Sequence, residues 1–297
     1  MDARALEREL LAAGSNEQWV AVLARAFDAH GLVFGHGTDN AADEAYWLLR
    51  HLQGYDDARF AAAPDPALAP QAAALASARI ERRVPLAHLL GEAWFAGLPF
   101  TVDARVLVPR SPLAEVIEAG FRPWCDVRAG DRLLDVGTGS GCIAIAAAHY
   151  CPGTLVDATD TSPGALEVAA ANVERHGLGG RVRLVEAALF PPGDARYRVI
   201  ISNPPYVPDA ELEALPPEYA AEPRGAFAGG PDGLDLVRQI VRGARGRLVP
   251  GGILLVEIGG GMQAFERAFP RLPVTWVELE RGGDGVFVIA AEELAAV

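Results

Sequence analysis

The chain has 297 residues, 51% of them hydrophobic, which is enough for about two domains of roughly 150 residues with a proper core. Its net charge of −13 opposes a nucleic-acid surface, since phosphate binding needs clustered positive charge. All 26 basic side chains are arginine, and the absence of lysine excludes Schiff-base enzymes, phosphate-loop NTPases and kinases of the usual pattern.

The opening MDARALEREL is charged and does not read as a signal peptide. A helical pattern runs from there to about residue 90. Leu6 and Leu10, then Trp19, Leu23 and Phe27, recur four apart and line one helix face. Further helices are predicted over 43–52 and 71–83, with the proline-broken AAAPDPALAP as a loop between them. Residues 94–109 turn to β-branched and aromatic runs around a Gly/Pro turn, the pattern of a hairpin bridging two domains. The expected division is a helical domain over 1–92, a linker over 93–110 and a second domain over 111–297.

From residue 130 strands alternate with helices. RLLDVG (132–137), TLVDATD (154–160), VRLVEA, RVIISN, GILLVEI, VTWVELE and VFVIAA read as strands. CIAIAAAHY (142–150) reads as a helix, as do 233–247 and 261–269. Ser162-Pro163 opens another helix, and Gly177 stands where its C-cap belongs. Crossover helices make the sheet mainly parallel and covered on both faces, whereas the short last connection makes the final two strands antiparallel. The fold class is therefore α/β, a seven-stranded doubly wound sheet with a final hairpin. Arg242, Arg245 and Arg247, the densest basic cluster, fall at helical spacing near a helix end and offset its dipole. The three cysteines are odd in number and lack CxxC spacing, and no apolar run reaches membrane-spanning length. The expectation is a soluble protein of a reduced cytoplasm, with no membrane partner and no direct nucleic-acid binding.

In such sheets ligands bind beyond the carboxyl ends of the strands. The first strand ends in Asp135-Val136-Gly137-Thr138-Gly139-Ser140-Gly141, where glycines let the backbone turn sharply and approach a ligand. The dinucleotide fingerprint needs glycine at 142, where Cys142 stands, which disfavours a pyrophosphate reader. D-x-G-x-G-x-G instead resembles the S-adenosylmethionine loop of Rossmann-like methyltransferases. Asp160, ending the second strand, is placed to accept both ribose hydroxyls, or else to cap the next helix start. Asp135 is read as organising the loop.

The fourth strand runs into Asn203-Pro204-Pro205-Tyr206. An amide nitrogen is a poor nucleophile because its lone pair is delocalised into the carbonyl, so a site that methylates it must hold both N–H bonds. The Asn203 side-chain oxygen and the Pro204 carbonyl supply two acceptors in a segment stiffened by Pro204 and Pro205. Tyr206 offers a flat wall for the planar amide or for a cationic sulfonium. Catalysis would then rest on positioning and electrostatics without a strong base.

With the DVGTGSG loop, this tetrapeptide resembles the N5-glutamine methyltransferases that modify translation proteins. That resemblance covers essentially the whole chain and implies a Rossmann-like methyltransferase domain, a hairpin linker and an N-terminal substrate-recognition domain. It implies S-adenosylmethionine as cofactor, bound at Asp135, Gly137, Thr138, Gly139, Gly141, Asp160 and Asn203. It also implies a glutamine amide held by Asn203, Pro204, Pro205 and Tyr206, with Asn203, Pro204 and Tyr206 catalytic. Gly35-His36-Gly37-Thr38-Asp39-Asn40 with Asp43-Glu44-Ala45, and Arg110-Ser111-Pro112, are similar to the branch acting on ribosomal protein three of the large subunit. The segments EPRGAFAGGPDGL (222–234) and GGDGVF (282–287) agree. The partner so implied is a free, basic ribosomal protein, which suits an acidic enzyme. The alternatives are the release-factor branch and a nucleic-acid adenine methyltransferase.

One position departs from the family. EAALF puts Ala188 where an aspartate usually accepts from the adenine amino group, and Glu186 shares its strand face only if the strand continues regularly. His36 is read as a structural hydrogen-bonder. The six histidines are scattered without ligand spacing, so no metal is expected.

Overall fold

Short polar side chains start the N-terminal helices. Asp2 opens α1 (Ala3–Ala12), Ser15 opens α2 (Asn16–Ala29), Asn40 opens α3 (Ala41–Leu52) and Asp56 opens α4 (Asp57–Ala61). Each accepts a hydrogen bond from a first-turn N–H that the helix itself leaves unpaired. The structure, a computed structural model, describes residues 2–296. The expected AAAPDPALAP loop begins at the end of α4 and holds a 3₁₀ turn at Pro66–Leu68, and its last two residues already belong to α5 (Ala69–Arg82), which has Pro70 in its first turn. A short α6 (Leu86–Leu90) follows. Leu6, Leu10, Trp19, Leu23 and Phe27 do share one core, closed by Leu48, Leu49, Ala72 and Ala76.

The chain divides into two units: Met1–Ala93 with Pro216–Glu222, and Trp94–Leu215 with Pro223–Val297. The first unit is thus discontinuous, with the 3₁₀ segment Pro217–Ala221 belonging to it. A two-stranded sheet, β1 (Glu92–Phe95) and β2 (Leu98–Thr101), holds only the first half of the expected hairpin. Beyond it Asp103 accepts from the Arg105 N–H and makes a turn, so Val106 and Val108 are buried without strand pairing.

The second unit is built on a seven-stranded sheet. Its strands are β3 (Arg132–Val136), β4 (Leu155–Asp160), β5 (Val182–Glu186), β6 (Tyr197–Ser202), β7 (Leu248–Glu257), β8 (Thr275–Trp276) and β9 (Val286–Ala290). They lie in the order β5-β4-β3-β6-β7-β9-β8, parallel from β5 to β7 and antiparallel beyond, as the strand and helix alternation predicts. The helices are α7 (Leu113–Glu118), α8 (Cys142–Tyr150), α9 (Pro163–Arg175), α10 (Asp235–Ala244) and α11 (Met262–Ala268). Alternation along β3 sends Leu134 and Val136 to the face covered by Val237 and Val241 of α10 and Phe265 of α11. Asp135 points the other way and accepts from the Ala144 N–H of α8, a helix buried on all sides from Cys142 to Ala148.

β8 is shorter than expected. After Trp276, the Glu280 and Arg281 N–H groups donate to the Glu115 carboxylate of α7, so a side chain takes the donors a longer strand would use. Among the described residues no helix is long and apolar enough to cross a membrane.

Candidate active site

The chain runs from β3 outward to β4 and β5, then returns to place β6 on the other side of β3. The carboxyl ends of β3 and β6 therefore flank the point where the strand order reverses, the usual ligand crevice of such sheets. Val136 is in register with Ser202 on one side and Thr159 on the other. Gly137 and Asn203 are accordingly the next residues beyond two adjacent strand ends, and Asp160 is the last residue of the third. The Ser202 hydroxyl donates to the Val136 carbonyl at 2.7 Å and ties β6 to β3 at that edge.

The loop after β3 is folded by Asp135. This side chain is fully buried, and its Oδ2 accepts from the Thr138 hydroxyl at 2.6 Å and from the Ala144 N–H at 3.2 Å. Its Oδ1 has no hydrogen-bond partner among the described residues. Burial pushes its pKa up to about 7 against the pull of those two donors. Gly137, Gly139 and Gly141 all take positive φ, but they serve different ends. A Cβ on Gly137 or Gly139 would meet nothing within 4 Å, whereas one on Gly141 would press on Ala169 and Ile145 at 3.2 and 3.3 Å. Gly141 thus lets α8 and α9 pack, while the other two leave a bare backbone facing open space.

Asp160 takes the role at the next helix start that the sequence left open to it, and it also braces the glycine loop. Its Oδ1 accepts from the Ser162 N–H at the start of α9 and its Oδ2 accepts from the Gly139 N–H, each at 2.9 Å. The carboxylate is half-buried and keeps lone pairs for a further donor. It pairs in register with Glu186, where β5 ends. Ala187 donates its N–H to the Asp160 carbonyl and Ala188 lies exposed beyond the strand. The regular continuation that would put Glu186 and Ala188 on one face is therefore absent.

Asn203 is half-buried, and among the described residues its side-chain amide forms no hydrogen bond. Pro204 is buried and Tyr206 half-buried. The backbone beyond them is clamped: Val207 donates to the Phe227 carbonyl at 2.8 Å, Gly229 donates to the Val207 carbonyl at 2.9 Å, and Asp209 donates to the Gly230 carbonyl at 2.9 Å. Side chains at Gly229 and Gly233 would collide with Tyr206 Cα and with its carbonyl oxygen. The Tyr206 ring lies on Gly259, where a Cβ would come within 2.8 Å of it. Its hydroxyl donates to Glu257 Oε1 at 3.1 Å, while the Ser111 hydroxyl donates to Glu257 Oε2 at 2.5 Å. Sequence reasoning missed Glu257, because VEIG closes a strand without any motif. A cavity of about 530 Å³ beside Tyr206 is lined by Val207, Pro208, Ile258, Met262 and Arg267. A second, of about 260 Å³, involves Arg132, Leu155 and Val182 at the amino ends of the strands, away from this crevice.

In the first unit His36 is buried, with Nε2 at 3.1 Å from Glu222 Oε2 and its ring edge-on to Tyr219. Thr38 donates to Glu44, and Asn40 caps α3. The buried Arg79 donates to Glu44 at 2.6 Å, to the Val33 carbonyl at 2.9 Å and to Glu218 at 3.4 Å. Glu218 also accepts from Arg83 at 2.9 Å and from the Val33 N–H at 3.1 Å. The Gly35–Asn40 segment is thus a structural knot. Among the described residues no group of three or more His, Cys, Asp or Glu is placed to hold a metal.

Residues 33–91 match the PrmC N-terminal domain family and residues 124–215 the methyltransferase small domain family. The ribosomal protein uL3 glutamine methyltransferase of Xylella fastidiosa is 45% identical over 282 residues, 92% of this chain and 89% of its own. Its counterpart in Neisseria meningitidis serogroup B is 45% identical over 278 residues, 90% of each chain. That of Bordetella pertussis is 44% identical over 277 residues, 90% of this chain and 92% of its own. Among solved structures, the hMettl16 catalytic domain in complex with MAT2A 3'UTR hairpin 6 shares the fold at 19% identity, with a TM-score of 0.50 over 74% of this chain and 80% of that one.

Proposed function

The chain belongs to the family of ribosomal protein uL3 glutamine methyltransferases, on a Rossmann-like methyltransferase fold, and from that premise we propose that it methylates the side-chain amide nitrogen of one glutamine in uL3 with S-adenosylmethionine as donor. The observation that carries the reading is the meeting of the bare Gly137–Gly139 backbone and Asn203–Tyr206 on either side of the strand-order reversal. The residues fit such a donor: a buried Asp135 oxygen stands without a partner, and the open side of Gly137 and Gly139 is a cradle that any Cβ would fill. Asp135, Gly137, Thr138, Gly139, Gly141, Asp160 and Asn203 would hold it. When bound, S-adenosylmethionine supplies an electrophilic methyl on a positively charged sulfur.

The chain's own part is orientation. Asn203 Oδ1 and the Pro204 carbonyl accept the two N–H bonds of the target amide, so that its nitrogen has one direction left in which to react. Pro205 stiffens that pair of acceptors, and Tyr206 forms the wall against which the flat amide rests. Residues 1–92, joined by Pro216–Glu222, serve substrate recognition, 93–110 link, and the rest of 111–297 holds the catalytic machinery. The reaction is proposed to run in the cytoplasm, on uL3 free of the ribosome, a reading supported by the acidic charge of this chain against a basic substrate.

Incubation with radiolabelled S-adenosylmethionine is expected to label purified uL3 at one glutamine. Asn203→Ala is expected to lower that labelling by about 10²–10³-fold while calorimetry still shows cofactor binding. Labelling of release factors in place of uL3 overturns the substrate assignment.

A further inference from the structure

Ser111, Tyr206 and Val286 lie far apart in the chain and meet at one buried residue, Glu257. This side chain closes β7, is only 4% exposed, and accepts from Tyr206 on one oxygen and from Ser111 on the other. Arg110, the charged neighbour that acts on it, lies over the Phe227 ring at 5.8 Å. Gly283 abuts Pro112, where a Cβ would sit 2.7 Å from the ring, and the Gly285 carbonyl accepts from the Ile258 N–H. The Tyr206 ring is therefore held at both ends, its face on Gly259 and its hydroxyl on Glu257.

Burying a carboxyl group is unfavourable, and nothing in the pairing of β7 with β6 and β9 requires one at this position. We propose that Glu257 is a positioning residue for methyl transfer: as a carboxylate it accepts from Tyr206 and Ser111 at once and so fixes the Tyr206 ring as a wall of the amide site. This rests on the function proposed above. Protonation changes the geometry, because the protonated oxygen becomes a donor and the hydroxyl that had donated to it must turn to accept. The groups facing Glu257 are Ser111, Tyr206 and Arg110, which favour the ionised form, while burial pushes its pKa up to about 7. The wall is consequently ordered above neutrality and loosened below it.

Steady-state methylation of uL3 across pH 5.5–9 by the wild type, Glu257→Gln, Tyr206→Phe and the double variant tests this. The wild-type kcat is expected to rise with a midpoint near 7. Glu257→Gln is expected to lower kcat about tenfold, leave KM for S-adenosylmethionine within about twofold and erase the midpoint. Because Glu257 acts through Tyr206, the double variant is expected to be no slower than the slower single variant. An unchanged kcat, a surviving midpoint or multiplying effects would each overturn the proposal. Ring resonances of isotope-labelled Tyr206 report independently of activity: they are expected to titrate near pH 7 in the wild type and not in Glu257→Gln. Titration without any uL3 methylation leaves the clamp standing and sinks the proposed function. A silent Tyr206 signal in an active enzyme sinks the clamp alone.

Discussion

A fully buried carboxyl group with one oxygen unpartnered is a place for a cation, and Asp135 is such a group. S-adenosylmethionine brings positive charge on its sulfur and on its amine. With a pKa of about 7, Asp135 is half ionised near neutrality, and a bound cation stabilises the ionised form. On the cofactor site proposed above, binding is expected to expel a proton, and affinity to rise by up to about tenfold from pH 6 to pH 8. Calorimetry in two buffers of different ionisation heat measures both the affinity and the proton, and a flat affinity with no proton released contradicts the assignment. Glu257 has a stability counterpart. Its folded pKa is raised, so the folded state binds the proton more tightly than the unfolded chain, and its contribution to stability is lost as pH rises through about 7. Glu257→Gln is accordingly expected to be no less stable than the wild type at pH 8, so a loss of activity there is not a loss of fold. Asp135, Asp160 and Asn203 were legible in the sequence because each stands in a motif at a single strand end. Glu257 was not, because its meaning depends on Ser111, 146 positions away, and Tyr206, 51 positions away.

Glycines divide the elements around the crevice into two kinds. Gly139 (φ 54°) faces open space, so Gly139→Ala carries only the left-handed backbone penalty of about 1–2 kcal/mol. Its new methyl projects where the cofactor is proposed to lie, and weaker S-adenosylmethionine binding is the expected result. Gly285 (φ 73°) has no such room, because a Cβ there overlaps the Gly259 carbonyl. Gly285→Ala adds overpacking to the backbone penalty, and a loss of about 3 kcal/mol is expected. Thermal denaturation beside calorimetric titration separates the two, and equal melting temperatures for both variants would contradict the distinction. Helices and parallel strands were readable from their patterns, since Leu6 and Leu10 on α1, and Trp19, Leu23 and Phe27 on α2, recur four apart, and β3 and β6 carry short apolar runs. The 3₁₀ turns at Leu212–Ala214, Pro217–Ala221 and Arg224–Ala226 were not, because three to five residues carry no period. The early end of β8 was equally hidden, since it depends on Glu115 of another element.

At the scale of the molecule, the GHGTDN segment and residues 216–222 belong to one buried ionic network. Arg79 and Glu218 are both fully buried, and Glu218 also accepts from Arg83 and the Val33 N–H. Removing one partner of such a set leaves a buried charge uncompensated, so Glu218→Ala is expected to destabilise the first unit by about 3 kcal/mol. Hydrogen exchange on α3 and α5 measures this, and unchanged protection there would show the network to be idle. The family resemblance made the GHGTDN segment visible, but its role became readable only once the chain had returned, well over a hundred residues later, to meet it. Because that return is made by seven residues embedded in the other unit's sequence, the N-terminal unit is not a detachable cassette. A chimera that exchanges residues 1–93 between relatives takes Arg79, Glu44 and His36 with it and strands their counterparts Glu218 and Glu222 in the recipient. Exchange of this unit, in the laboratory or in evolution, has to carry both stretches together.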